Sequence, residues 1–161
     1  MAGEYSAGLP NLIASCGPPR RRHDEIVVSC KDDGQSWRLS ASVFPDTGEG
    51  SVAETTDGNL IYIARRLSTT HCVNPSGVTH CAGSMVSSDG GETWSDPVDL
   101  GGLPDPGCKN TVAAWPAGKA LVHGGSHSST ARTDVSAIFS HDGGKSWGDQ
   151  VMVWQAPLVG G

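Results

Sequence analysis

Glu49, Arg65 and Arg132 are the side chains of this sequence whose types and positions suit holding and acting on an anion. Glu49 opens the stretch Glu49-Gly50-Ser51-Val52-Ala53-Glu54, Arg65 ends Asn59-Leu60-Ile61-Tyr62-Ile63-Ala64-Arg65, and Arg132 heads Arg132-Thr133-Asp134-Val135-Ser136-Ala137-Ile138-Phe139-Ser140. A planar guanidinium grips a carboxylate through paired, charge-assisted hydrogen bonds. A carboxylate beside a weak hydroxyl nucleophile can take its proton as general base. Each residue also has a plainer reading. Glu49 sits in Asp46-Thr47-Gly48-Glu49-Gly50, which could be an acidic loop, and Arg132 could pair with Asp134 or Asp142. Glu54 lies on the opposite strand face from Glu49 and reads as structural; Arg66 faces away from Arg65 and reads as a surface charge.

Other reactive side chains carry less. Thr70-His71-Cys72 and Thr79-His80-Cys81 form a metal-like doublet. Its spacing is not a zinc pattern and no further Cys/His group follows at the distance such a site needs, so a Cys72–Cys81 disulfide or two free loop thiols is expected. Cys16, Cys30, Cys72, Cys81 and Cys108 leave at least one unpaired thiol in a monomer, and their pairing stays open. His123 and His127 flank Gly124-Gly125-Ser126 and could line a ligand-side loop. Arg20-Arg21-Arg22, beside Pro18-Pro19, reads as a solvated loop.

The elements that must position these groups are marked by a repeat. Cys30-Lys31-Asp32-Asp33-Gly34-Gln35-Ser36-Trp37, Ser87-Ser88-Asp89-Gly90-Gly91-Glu92-Thr93-Trp94 and Ser140-His141-Asp142-Gly143-Gly144-Lys145-Ser146-Trp147 share the pattern S/C-x-D-x-G-x-x-W. Asp32, Asp89 and Asp142 recur at intervals of 57 and 53 residues. So long a period marks supersecondary units stacked side by side, as in propellers and solenoids. Asp and Ser bond back to the backbone of a turn, Gly supplies positive φ, and Trp begins the return strand and packs under the loop. Apolar runs precede each copy, so strand, tight turn, strand is predicted three times.

Strands are expected over Asn11–Ser15, Glu25–Cys30, Trp37–Val43, Ser51–Thr55, Asn59–Arg66, His80–Ser87, Thr111–Trp115, Ala120–Gly124, Asp134–Ser140 and Val151–Trp154. Hairpins turn at Asp57-Gly58 and Pro116-Ala117-Gly118. Leu60 to Ala64 is apolar on both faces, which suits sheets stacked face to face. With 22 Gly, 10 Pro and 17% charged residues among 161, the composition is rich in turns and strands. The net charge of -6 argues against a nucleic-acid partner. No stretch approaches the length of a membrane-spanning helix, and the first residues show no signal-peptide core.

The repeat resembles the Asp-box of the sialidases (neuraminidases), where it recurs on successive four-stranded blades of a six-bladed β-propeller. The resemblance implies an all-β chain, one partial sialidase-type propeller domain over 1–161 holding about three blades, with boxes at 30–37, 87–94 and 140–147. Glu49 to Arg65 is similar to a family stretch in which a Glu begins a strand, D-G makes the turn and an Arg ends the return strand. That similarity places a catalytic Glu, general base to a Tyr nucleophile, at Glu49 and a substrate-binding Arg at Arg65. Ala131 to Ser140 resembles the family run that supplies another substrate-binding Arg, here Arg132. Trp154-Gln155-Ala156-Pro157-Leu158-Val159-Gly160-Gly161 is similar to the stretch that leads into the nucleophilic Tyr. A carboxylate nucleophile would be repelled by the carboxylate of sialic acid, which rationalises a Tyr in place of the usual pair of acids.

The implied activity is exo-α-sialidase-like, a retaining hydrolysis of terminal sialic acid from glycoprotein, glycolipid or oligosaccharide. It needs no cofactor. The resemblance implies a lysosomal or secreted parent protein. The upstream Arg strand, the Asp acid and the Tyr nucleophile have no counterparts here; neither Tyr5 nor Tyr62 has the context, so the chain is expected to be a central fragment, inactive alone. Two alternatives remain: a non-catalytic Asp-box propeller that binds glycan or protein, and a glycosidase of another acidic sugar such as a keto-deoxy acid.

Overall fold

The computed structural model describes residues 12–14, 24–32, 34–67 and 80–155. Within them β1 (Leu12–Ala14), β2 (Asp24–Ser29) and β3 (Arg38–Pro45) form one antiparallel sheet, blade 1. Blade 2 holds β4 (Thr47–Glu54), β5 (Leu60–Arg66), β6 (Cys81–Ser87) and β7 (Val98–Pro104). Blade 3 holds β8 (Thr111–Trp115), β9 (Ala120–Ser126), β10 (Val135–Ser140) and β11 (Gly148–Trp154). Each blade is an up-and-down meander, its strands neighbours in sequence order. The sheets stack face to face and do not close into a ring. The fold is the expected one, part of a β-propeller.

Local chemistry sets the hairpins. At Asp57-Gly58, Gly58 takes φ 81° and its N–H donates to the Thr55 carbonyl at 3.0 Å, while the Thr55 N–H donates to the Asn59 carbonyl at 2.8 Å. Pro116–Gly118 forms one 3-10 turn, and Lys119 closes it in the left-handed region. β3, β9 and β11 extend beyond their expected bounds, β11 starting at Gly148 in place of Val151, and two further differences bear on the site and the boxes. β4 begins at Thr47, so Glu49 lies in a strand and not in an acidic loop. The strand after the second box begins at Val98 and not at Trp94. Ser95 still donates its N–H to the Val86 carbonyl, but Pro97 has no N–H to continue the ladder.

The second and third boxes are built alike. Ser140 Oγ accepts the Gly144 N–H at 2.8 Å and donates to Asp142 Oδ1 at 2.8 Å, and Asp142 accepts the N–H groups of Lys145 and Ser146 and the Ser146 hydroxyl. Ser87 and Asp89 repeat this network with Gly91, Glu92 and Thr93. The Ser146 hydroxyl, followed by its N–H, pushes the Asp142 carboxyl down to about 2. The Thr93 hydroxyl and N–H likewise hold Asp89 far below the usual range. Trp94 and Trp147 each donate Nε1–H to the box glycine carbonyl, at 3.2 and 3.1 Å. The first box is weaker. Cys30 Sγ accepts the Gly34 N–H, and Trp37 is 45% exposed, contrary to the expectation that it packs under the loop.

Packing joins each blade to the next. Val27 and Phe44 of blade 1 meet Tyr62, Ala64 and Met85 of blade 2, with Trp94 against them. Tyr62 stacks on Phe44 with ring centroids 4.9 Å apart. The other face of blade 2, with Ala53, Ile61, Ile63, Ala82 and Leu100, meets Val112, Leu121 and Ile138 of blade 3, with Trp147 alongside. Apolar residues on both faces of β5 are therefore all buried, as the face-to-face expectation required. Burying each of the Leu60, Ile61 and Ile63 side chains contributes about 1.5–3 kcal/mol.

Leu60 stands opposite Ser87 in blade 2 as Leu121 stands opposite Ser140 in blade 3. This equivalence makes His123 the counterpart of Tyr62. His123 is 3% exposed, its ring meets Trp147 edge to face at 5.9 Å, and neither ring nitrogen finds a hydrogen-bond partner. Burial, and then the neighbouring His127, pushes its pKa down to about 4 from 6.5. The unfolded chain binds a proton that the folded chain refuses between those values. The contribution is therefore intact above pH 6.5 and is lost as pH falls toward 4, with a limiting slope of about 1.4 kcal/mol per pH unit.

Two measurements check this account. Gly144 takes φ 92°, and a Cβ there would overlap Ile61 Cδ1 in the neighbouring blade; Gly143 takes φ 75° with nothing within 4 Å. Gly143→Ala should cost about 1 kcal/mol of backbone strain, while Gly144→Ala should cost about 2–4 kcal/mol in urea unfolding. Equal costs would refute the blade contact. His123→Phe should flatten the stability profile between pH 6.5 and 4; a profile unchanged by it would assign the slope to other groups.

Candidate functional site

The meander puts the three boxes and the Asp57-Gly58 and Pro116–Gly118 turns at one end of the stack. The opposite end receives the starts of β4 and β8 and the β5–β6, β7–β8 and β9–β10 connections. The first strands of blades 2 and 3 meet on the inner side, where Ser51 Oγ accepts the Val112 N–H at 2.6 Å. Glu49, Arg65 and Arg132 all lie at the end opposite the boxes.

Glu49 and Arg65 are brought together. Arg65 Nη1 is 3.1 Å from Glu49 Oε2, with the Arg65 side chain 26% exposed and that of Glu49 56% exposed. Arg65 reaches inward across Gly48. A Cβ on Gly48 would stand 3.0 Å from Arg65 Nε and 3.3 Å from its Cγ, so any side chain there would displace the guanidinium. Arg65 Nε is buried without a hydrogen-bond partner. The β4–β5 register is irregular between Thr47 and Gly50, the segment that carries Glu49. Tyr62, fully buried, donates its hydroxyl to the Gly48 carbonyl at 3.4 Å. It offers no exposed phenol.

Arg132 joins the same end from the β9–β10 connection. Its Nη2 donates to the Gly107 carbonyl at 3.3 Å. Among the described residues it makes no ion pair, so it pairs with neither Asp134 nor Asp142, and it does not touch Glu49 or Arg65. Asp134 instead takes φ 56° and accepts the His127 N–H on its carbonyl, closing the connection. His123 is too deeply buried to touch a ligand. His127 is half-buried; burial lowers its pKa against the opposing pull of Asp134.

Two groups at this end escaped the sequence reading. Arg66 is no surface charge. Its side chain is 9% exposed and lies across Gly83, with Nε 3.0 Å from Asp99 Oδ1 and Nη1 donating to the Pro45 carbonyl of blade 1 at 3.4 Å. It ties blades 1 and 2 together. The Nε contact is ionic, since its N–H does not point at the oxygen. Asp105, 4% exposed, accepts the Cys108 N–H at 2.7 Å and the Asn110 side chain at 2.8 Å, and so shapes the loop that presents the Gly107 carbonyl to Arg132. The turn residues Asp105-Pro106-Gly107 were the available signal.

Cys81 is disulfide-bonded, and its partner falls outside the described residues; Cys30 and Cys108 are free thiols. Arg20-Arg21-Arg22, Tyr5, Cys16, Thr70-His71-Cys72, Thr79 and 156–161 also fall outside them. Among the described residues no group of three His, Cys, Asp or Glu side chains could hold a metal ion. A crevice of about 250 Å³ lined by Asp57, Ile61, Leu100, Asp142 and Lys145 lies at the box end, as a seam between blades 2 and 3 and away from Glu49.

The family profile described as BNR repeat-like domain matches residues 7–159. No curated protein matches the chain by sequence. Among solved structures, a Hadza microbial sialidase, Hz136, is 24% identical with a TM-score of 0.64 over 82% of this chain and 25% of its own. The NanB sialidase of Streptococcus pneumoniae is 19% identical with a TM-score of 0.62, over 81% and 20%. A leech intramolecular trans-sialidase, solved with 2,7-anhydro-Neu5Ac, is 22% identical with a TM-score of 0.58, over 83% and 21%. The chain thus spans about a fifth to a quarter of the length of these three structures. With three Asp-boxes, eleven strands described in three unclosed blades, and a profile match over nearly its whole length, the chain belongs to the BNR repeat-like family and carries part of a sialidase-type β-propeller.

Proposed function

We propose that this chain carries part of the anionic-sugar site of an exo-α-sialidase-like retaining glycosidase acting on terminal sialic acid of glycoconjugates. The observation that carries the reading is the Glu49–Arg65 pair at 3.1 Å, placed at the end opposite the boxes with Arg65 folded inward over Gly48. A half-exposed ion pair is worth little in water, about 0–1 kcal/mol. A ligand carboxylate can therefore take the place of Glu49 on Arg65 at small cost and free Glu49 for proton transfer. Arg132, held by a single carbonyl contact, can turn to the same carboxylate. Glu49 would act as general base to a phenol, and Arg65 and Arg132 as the carboxylate grip.

The buried Tyr62 cannot be that phenol, which favours a second reading in which the described residues bind an acidic sugar without cleaving it. Two assays separate the cases. N-acetylneuraminic acid titrated into the chain should shift NMR signals around Glu49, Arg65 and Arg132 saturably. Arg65→Met and Arg132→Met should each weaken binding about tenfold, the loss of roughly one charge-assisted contact. No saturable shift, or equal affinity for neutral lactose, would remove the sialic-acid reading, and stronger binding of a 3-deoxy-keto acid would redirect it. The chain alone should release no fluorophore from a fluorogenic sialoside; release abolished by Glu49→Gln would show that it cleaves unaided.

A further inference from the structure

Blade 3 covers only part of the blade 2 face it stacks on. Ala82 and Leu100 lie in the core between the two blades, but Val86 and Val98, on the same face, are 39% and 58% exposed. With Ser84 they line the crevice of about 250 Å³ at the box end, which the third box lines with Lys145. Ser84 is 6% exposed, and its hydroxyl, though it lines the crevice, makes no hydrogen bond among the described residues. Lys145 makes no ion pair among them. A buried hydroxyl without a partner costs free energy that a bound polar group recovers.

The seam between blades 1 and 2 shows how the same place is filled by protein. Counted from the boxes, Val27 is the equivalent of Ser84, Lys31 of Ser88, Ala41 of Val98 and Glu92 of Lys145. Val27 is fully buried in the core between blades 1 and 2. Lys31 Nζ meets Glu92 Oε1 at 2.6 Å, and the Ala41 N–H donates to the Glu92 carbonyl at 3.0 Å. Between blades 2 and 3 a serine stands for the valine and a lone lysine for the ion pair, and the backbone tie is missing among the described residues. The second seam therefore lacks three things: apolar volume, a partner for a hydroxyl and a counter-ion for an ammonium. The rim adds a fourth demand. Asp57 and Asp142 also line the crevice, each held by hydrogen bonds of its own loop. Two carboxylates against one ammonium would repel a lone anion, and an ammonium carried beside the anion removes that repulsion. Asp57 accepts the Thr55 hydroxyl and the Asn59 amide, which leaves carboxylate lone pairs for a further donor.

We propose that this crevice binds a free apolar α-amino acid. Its carboxylate pairs with Lys145, its ammonium with Asp57, and its side chain lies over Val86 and Val98, with the Ser84 hydroxyl bonding the head group. Such a zwitterion supplies the missing volume and both charges in one small molecule, in a concave apolar site with few polar groups. The site is separate from Glu49, Arg65 and Arg132, which lie at the opposite end of the blades.

The full 161-residue chain, titrated with L-leucine, should show saturable NMR shifts at Ser84, Val86 and Val98, with a Kd of about 1 mM. N-acetyl-L-leucine lacks the ammonium and L-leucinamide the carboxylate; each should bind about tenfold more weakly. Lys145→Ala should weaken leucine about tenfold and leave leucinamide unchanged. Ser84→Val places in the crevice the side chain that Val27 supplies one blade earlier. It should abolish the shifts without lowering the urea midpoint, which separates lost binding from lost folding. No saturable shift, equal binding of uncharged isoamyl alcohol, or leucine affinity unchanged by Lys145→Ala overturns the proposal. Leucinamide binding as tightly as leucine overturns it in favour of a simple organic cation, and N-acetyl-L-leucine doing so overturns it in favour of an anion. All these readouts sit at the box end, so their failure leaves the reading of Glu49 and Arg65 untouched.

Discussion

The close approach of the third box at Gly144 to Ile61 of the neighbouring blade is the constraint on which the stacking of blades 2 and 3 depends. Ser140 and Asp142 together satisfy the Gly144, Lys145 and Ser146 N–H groups and so fix a loop of positive-φ backbone. That loop has no side chain where it leans on Ile61. The spacing of blades 2 and 3 is thereby set in part by backbone against side chain, and Ala, Ile, Leu and Val fill the core between them. Trp147 then closes the gap beneath the loop, with its one polar atom bonded to the Gly144 carbonyl.

Division of labour between the two ends follows. The box end carries spacing, and its box aspartates are spent on hydrogen bonds within their own loops. At the other end the polar groups of the described connections are only partly used. Arg65 holds Glu49 through one exposed contact, Arg132 holds one carbonyl, and Asp105 organises the loop between them and blade 3. Arg66 is the exception, a charged residue that does at this end what the boxes do at the other.

What the sequence made legible was local. The boxes, the Asp57-Gly58 hairpin and the Pro116–Gly118 turn each follow from bonds between residues a few positions apart, and each turn forms where expected, although Trp37 of the first box stays exposed. What it concealed was set by neighbours distant in sequence. Strand alternation suggested that Arg66 faces water, but the face it shares with Ala64 and Tyr62 is the one covered by blade 1. His123 looked like a loop residue near a ligand, yet it occupies the core position that Tyr62 holds one blade earlier. Glu49 reads as the start of a strand, with a plain acidic loop as the alternative; it lies inside β4, where Gly48 and Gly50 leave room for Arg65 and the β5 backbone. The pairing of Glu49 with Arg65 has no local signature at all; only the hairpin register brings them together.

The Tyr62 hydroxyl ends on the carbonyl immediately before Glu49, and the Tyr62 ring is stacked on Phe44 of the adjoining blade. Hydrophobic interior and acidic side chain are thus mechanically one piece. A Phe44 side chain that seats differently would shift the Tyr62 ring, and with it the hydroxyl contact to the peptide just before the carboxylate.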